Sequence, residues 1–363
     1  MRKPNDRILI FAFVLVVAII GASGPWLGVD AFVASVKING EAGEVAVAYP
    51  SSGPADTPMK EEALRMRIQT EAANRSIPPI NAQIDRVWKA IPGYNGVEVD
   101  QEKTLKLALA RRISEKDPLP FVFSETKPSI NLKDLAVEPI YKGNPEKPMV
   151  ALMINVAWGE EYLPGMLETL LNENVRATFF FDGSWLSKNV ELAKRIGAAG
   201  HELSNHAYSH PNMSQLSRTQ AANEISKTET LLKEKLGVQN VWFAPPSGDF
   251  DEETVRIAKE QGLSTVLWTV DTVDWKKPAP SVIVRRVNSR VEPGSLILMH
   301  PTAPTRDALQ EVIRSIKRKG LALGTVSEVL STKRVTQLEW SDRIPLPGAG
   351  EAPVSINEYG GTP

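Results

Sequence analysis

From Met149 to about Thr332 short apolar runs alternate with amphipathic stretches, and few folds accept that rhythm. Strands are predicted at 149–156 (MVALMINV), 175–181 (VRATFFF), 201–204 (HELS), 238–244 (VQNVWFA), 264–270 (STVLWTV), 294–299 (GSLILM) and 321–326 (LALGTV). The segments between them read as helices. One opens at Ser217 with Gln220 following as the far corner of a capping box, and another puts Leu309, Val312, Ile313 and Ile316 on one face. Strand–helix repeats of this kind build a parallel α/β sheet, closed as a distorted (β/α) barrel of about seven strands or strongly coiled. In such folds sites lie past the C-terminal ends of the strands, where loops from separate strands converge. Asn155, His206, Ala244, Asp274 and His300 all fall there and are expected to be neighbours.

The chain ahead of the repeats reads differently. Ile80, Ile84, Val87, Trp88 and Ile91 recur at helical spacing, which predicts a helix stopped by Pro92 and Gly93. A strand at 97–99, a helix capped by Asp100 and running to about Ile113, and a strand at 119–123 complete a small αβ domain over 76–142. It holds no histidine or clustered carboxylate, so no chemistry is assigned to it. Residues 25–75 read as a linker, because 41–60 are rich in Gly, Pro, Ser and Ala. At the start, Arg2, Lys3 and Arg7 precede the apolar run Ile8 to Ile20, the pattern of an export signal. Residues 1–24 are either a cleaved signal peptide or a membrane anchor, and both place the bulk of the chain outside the cytoplasm. Residues 336–363 are expected to be disordered. The chain has no cysteine, which removes disulfides and thiolate metal ligands, and a formal net charge of −1 without internal basic blocks argues against nucleic acid as a partner.

Histidine is used sparingly. Three of the four, His201, His206 and His210, fall in GHELSNHAYSH, and His300 follows a predicted strand. His206 and His210 are spaced to grip one cation. Zinc accepts imidazole nitrogens at roughly 2.0–2.1 Å but needs a third protein ligand and an open water position, so two histidines are an incomplete site. Taken alone, the pair reads equally as a solvated couple beside Pro211.

The segments NVRATFFFDGSW, GHELSNHAYSHPNMSQLS, FAPPSG, VDTVDW and LILMH, in that order across about 148–335, resemble the polysaccharide deacetylases, the NodB-homology or carbohydrate esterase group. The small N-terminal domain and INVAWGEEYLP are most similar to the divergent YlxY-like branch of endospore-forming bacteria. The resemblance implies a metal-dependent hydrolase of N-acetyl groups on cell-wall glycan, with zinc held by two histidines and an aspartate. His206 and His210 match the metal histidines, His300 the general acid, Asp274 the carboxylate that orients it, and Trp275 part of the pocket floor. Pro246 and Trp158 are further candidates for contact with sugar. A carboxylate bound to an imidazole fixes its tautomer and raises its pKa, which suits a proton donor near neutrality.

The departures are as informative. Where the family reads Thr-Phe-Asp-Asp-Gly, this chain has Met153, Ile154, Asn155, Val156 and Ala157, and Ala244 stands at the arginine position. Asn155 cannot ionise and Val156 cannot bind metal. An arginine left beside a missing carboxylate would be an unpaired buried charge costing roughly 3–5 kcal/mol, so the base and its partner are lost as a unit. Asp182, at the end of the second strand, is a candidate third metal ligand; as a residue before Gly183 it reads also as a helix cap or turn former. Glu160, Glu161 and Glu202 lie near the motifs, though Glu202 follows His201 on a strand and points away from it. His201 reads as structural. Two functions stay open: a deacetylase-like hydrolase with a degenerate site, and an inactive protein that binds glycan or an envelope partner.

Overall fold

A computed structural model describes residues 57–335. The export segment, most of the linker and the tail from 336 lie outside the described residues.

From Pro58 onward the described chain packs as one unit. It begins with α1 (Glu61–Ala72), the hairpin β1 (Gln83–Asp85) and β2 (Lys89–Ile91), then β3 (Gly96–Val99), α2 (Gln101–Ala110) and β4 (Phe123–Thr126), which pairs antiparallel with β3. Two expectations are corrected here. Helix α1 lies inside the stretch 25–75 read as linker; Leu64, Ile68 and Ala72 form a buried stripe against Leu105, Ala108 and Leu119, which a composition argument overlooks. The helix expected over 80–91 is a hairpin. Asp85 Oδ1 accepts the backbone N–H groups of Val87 and Trp88, both at 2.7 Å, and this local turn defeats the helical periodicity. Ile84 and Val87 are consequently exposed rather than packed. Asp100 caps α2 as expected, accepting from Lys103 N at 3.0 Å.

The main sheet comprises β5 (Met149–Val156), β6 (Thr178–Phe181), β7 (Glu202–Asn205), β8 (Trp242–Phe243), β9 (Ser264–Thr265), β10 (Val270–Asp271), β11 (Leu296–Met299) and β12 (Ala322–Gly324). Its order is β10-β11-β5-β6-β7-β8-β9, every pairing parallel, with β12 joining the first half of β5. The sheet curls as a half-barrel with helices outside, as expected. The run 264–270, read as one strand, is two, interrupted after Thr265. The open edge at β9 is covered by the backbone of Ile140, whose N–H reaches Thr265 O at 2.9 Å and whose carbonyl accepts Leu267 N at 2.8 Å.

Helices α3 (Leu163–Asn172), α4 (Gly183–Lys188), α5 (Val190–Ala198), α6 (Arg218–Leu236), α7 (Glu252–Glu260), α8 (Pro280–Arg290), α9 (Ala303–Arg318) and α10 (Val326–Leu330) alternate with the strands. The capping box at Ser217 opens α6, and Leu309, Val312, Ile313 and Ile316 bury the inner face of α9. Because strand side chains alternate, β5 serves two layers: Val150, Leu152, Ile154 and Val156 pack under the helices, and Ala151 and Met153 face the barrel interior with Phe180, Ala244 and Leu296. Asn155 continues the interior row, which brings it to the C-terminal mouth.

Candidate functional site

Two walls meet at that mouth. The first is built on Asp274, which opens the turn after β10 and is wholly buried. Its Oδ1 lies 2.8 Å from His300 Nδ1; its Oδ2 accepts the His300 backbone N–H and the Thr305 hydroxyl, each at 2.6 Å. The carboxylate thereby assigns the ring proton to Nδ1 and leaves Nε2 as the atom available to the cavity. Val273, just before it, sits at φ 53°, a left-handed conformation that costs a β-branched residue about 1–3 kcal/mol. Trp158 lies parallel to the His300 ring, 7° between planes and 6.0 Å between centroids. Gly159, at φ +83°, permits this: a Cβ there would stand 2.1 Å from the Pro301 carbonyl oxygen.

The second wall is built on His206, also fully buried. Its Nδ1–H donates to Ala244 O at 2.7 Å, so Nε2 presents its lone pair to Asn155 Nδ2 at 3.4 Å. Burial first, and then the neighbouring His210, push the His206 pKa down to about 3, with the Ala244 carbonyl opposing. The ring is neutral. Asn155 Oδ1 is buried with no hydrogen-bond partner. His210 stands edge-on to His206 at 5.2 Å between centroids, in a left-handed backbone at φ 58°. Glu224 holds the loop between them by accepting the Tyr208 and Ser209 N–H groups at 3.0 and 2.8 Å.

Between the walls is a cavity of about 450 Å³. Asn155, Trp158, His206, His210, Trp275 and His300 line it, and Asp274 stands behind His300. Two sequence candidates do not reach it. Pro246 is buried in the 246–248 turn, where Ser247, at φ 56°, lines the cavity in its place. Asp182 does lie beside β5, its N–H donating to Val156 O at 3.0 Å, but its carboxylate caps α4: Oδ1 accepts Trp185 N at 2.9 Å and the Ser184 hydroxyl at 2.5 Å. Burial raises its pKa, the cost of a carboxylate used as a cap. His201 is structural, as read: its Nδ1 accepts Ala177 N at 3.2 Å on the opposite side of the sheet's strand ends from the mouth. Sequence reasoning missed Asp271, Trp268 and Ser247, all of which line the cavity. The signal for Asp271 was present, since VDTVDW contains two acids and only the second was used.

The polysaccharide deacetylase family model matches residues 142–266. A protein of Bacillus subtilis strain 168 known as the uncharacterized protein YlxY is 49% identical over 279 residues, 77% of this chain and 85% of its own length. The chain belongs to the polysaccharide deacetylase family. A peptidoglycan-N-acetylglucosamine deacetylase of Bacillus cereus is 35% identical over 199 residues, 53% of this chain and 72% of that one. Among solved structures, BA3943 of Bacillus anthracis, described as a CE4 family pseudoenzyme, superposes with a TM-score of 0.69 at 44% identity, covering 75% of this chain and 96% of its own; one of its mutants is described as having restored enzymatic activity.

The residues present do not fit the zinc shell that deacetylase membership implies. Among the described residues no three His, Cys, Asp or Glu side chains are grouped to hold a metal. Val156, at the metal-carboxylate position, is fully buried on the helix side of the sheet with Phe181 and Trp185. The lone pair of His206 that would bind metal faces the Asn155 amide instead.

Proposed function

We propose that this chain is an extracytoplasmic, glycan-binding deacetylase homologue that holds an amino-sugar unit of the cell wall without productive turnover. The Asn155–His206 contact carries this reading, because it puts a carboxamide where a hydrolase needs a base and engages the nitrogen a metal would need. A general base typically contributes ~10²–10⁴-fold, and a carboxamide supplies none of it. The basic start followed by an apolar run supports export, by signal peptide or anchor. The likeness to BA3943 supports loss of turnover, and the likeness to peptidoglycan deacetylases supports cell-wall polysaccharide as the partner.

Slow hydrolysis is the second reading, and one observation favours it: the His300–Asp274 pair, with its three hydrogen bonds, is intact and still placed to give a proton to a leaving amine. The two are separated by incubating the full-length chain, with added Zn²⁺, with N-acetylglucosamine oligomers and measuring bound oligomer and released acetate together. Binding with acetate release absent, or at least ~10²-fold below that of a family member with its aspartates, is expected. Robust release that His300→Ala abolishes would overturn the proposal.

A further inference from the structure

Among the described residues the cavity wall carries acceptors that no side-chain donor meets. Asn155 Oδ1 has no donor. Asp271, at the end of β10, accepts the Val273 N–H through Oδ1 at 2.7 Å, and no side chain among the described residues donates to it. His300 Nε2 is a third acceptor while the ring is neutral, because Nδ1 carries the proton toward Asp274. Among the described residues no lysine or arginine lines the cavity, and Ala244 stands at the family's arginine position.

The apolar part of the wall is equally specific. Trp158 and Trp275 are 43% and 51% exposed, unusual for so large an apolar group, and Trp268 lines the same space. Indole faces attract cations through the ring quadrupole. Trp275 already does so within the chain: the Lys276 ammonium sits 4.8 Å from its ring centroid. Lys276 itself is exposed and lies outside the cavity lining. An unpaired carboxylate beside indole faces, with no lysine or arginine among the described lining residues, is complementary to a compact ligand cation rich in N–H groups. An acetamido group carries no charge and a single N–H, so it gains less from the carboxylate and the indole faces.

We propose that the cavity recognises the free ammonium of an already de-N-acetylated amino sugar, which Asp271 pairs with while Trp158 and Trp275 flank the sugar ring. This rests on the glycan-binding reading above and narrows it from the family's substrate to the product of the family's reaction. No bond is made or broken; the protein reads a chemical state of the glycan.

The test is calorimetric titration of the full-length chain, at a pH of about 7 where the amine is mostly protonated, with glucosamine oligomers and N-acetylglucosamine oligomers of matched length. Glucosamine oligomers should bind on the order of tenfold tighter or more, the size expected of one charge-assisted contact with cation–π support. Raising salt should weaken their binding and leave the acetylated series unchanged, which holds as a measurement on the unaltered protein. Asp271→Asn, which keeps the acceptor for Val273 N–H, should remove the preference. Equal or tighter binding of acetylated oligomers overturns the inference and leaves the glycan-binding reading standing; binding of neither series overturns both. A preference that survives Asp271→Asn or is insensitive to salt also overturns it, since the carboxylate would then not be the receptor.

Discussion

The two walls of the cavity have been treated differently. On the Asp274 wall both carboxylate oxygens have partners: three donors converge on one buried carboxylate at 2.6–2.8 Å. On the His206 wall Asn155 and His206 meet in one long amide–imidazole contact of 3.4 Å, and an amide oxygen is left buried and unmet. A satisfied buried network is hard to alter one residue at a time, because each removal orphans the others. A wall that has lost its charged members together tolerates neutral occupants. The comparison teaches that this site was neutralised on one side only, and that the side retained is the one that also supports the fold.

The largest effect should come from the intact wall. Asp274→Ala strands His300 Nδ1–H, His300 N–H and the Thr305 hydroxyl, and should lower unfolding free energy by about 2–4 kcal/mol in denaturant melts. A loss below about 1 kcal/mol would break the contrast between the walls.

Acid sensitivity comes next. Burial holds His206 and His201 below their ordinary 6.5, to about 3 and about 4. Each stays neutral in the fold but takes up a proton on unfolding, so its contribution is fully present above about 6.5 and is lost as pH falls toward the folded values. Asp182 and Glu229, buried carboxyls with raised pKa, act in the opposite sense, their contribution fading as pH rises. The histidine shifts are the larger, so melting temperature should fall as pH drops from about 6.5 to about 4. His201→Gln should flatten that slope, and an unchanged slope would count against burial as its cause.

On the neutralised wall the effects should be small. Asn155→Leu removes an unmet oxygen at the cost of one long hydrogen bond, and stability should stay within about 1 kcal/mol of the parent. A loss at Asn155→Leu near that of Asp274→Ala would erase the distinction. Outside the buried network, Trp158→Ala should be smaller still in stability, within about 0.5 kcal/mol, because the indole is half exposed, while weakening glycan binding.

Much of this was legible in the sequence where periodicity and local chemistry agreed. The run 149–156 is one strand from end to end, Ser217 and Asp100 cap the helices they precede, and the strand-end rule brought Asn155, His206 and His300 to one cavity with Asp274 behind His300. Where the two disagreed, local chemistry prevailed: Asp85 turned a helical pattern at 80–91 into a hairpin, and Asp182 was consumed as a helix cap. Side-chain direction was harder to read. That Val156 packs beneath helices while Asn155 opens into the cavity follows from strand alternation, yet an alignment to a motif treats the two as equivalent positions. Ser247 depended on a short turn in which it is itself left-handed, which spacing does not announce.

The measurement closest to the central claim is a zinc titration of the full-length chain beside its Asn155→Asp variant. With two histidines and no carboxylate, the unaltered chain should show no tight zinc site that depends on His206, and the variant should bind on the order of tenfold tighter or more once a carboxylate faces that nitrogen. Sub-micromolar zinc binding by the unaltered chain, abolished by His206→Ala, would contradict the account by showing that a ligand outside this geometry completes the site.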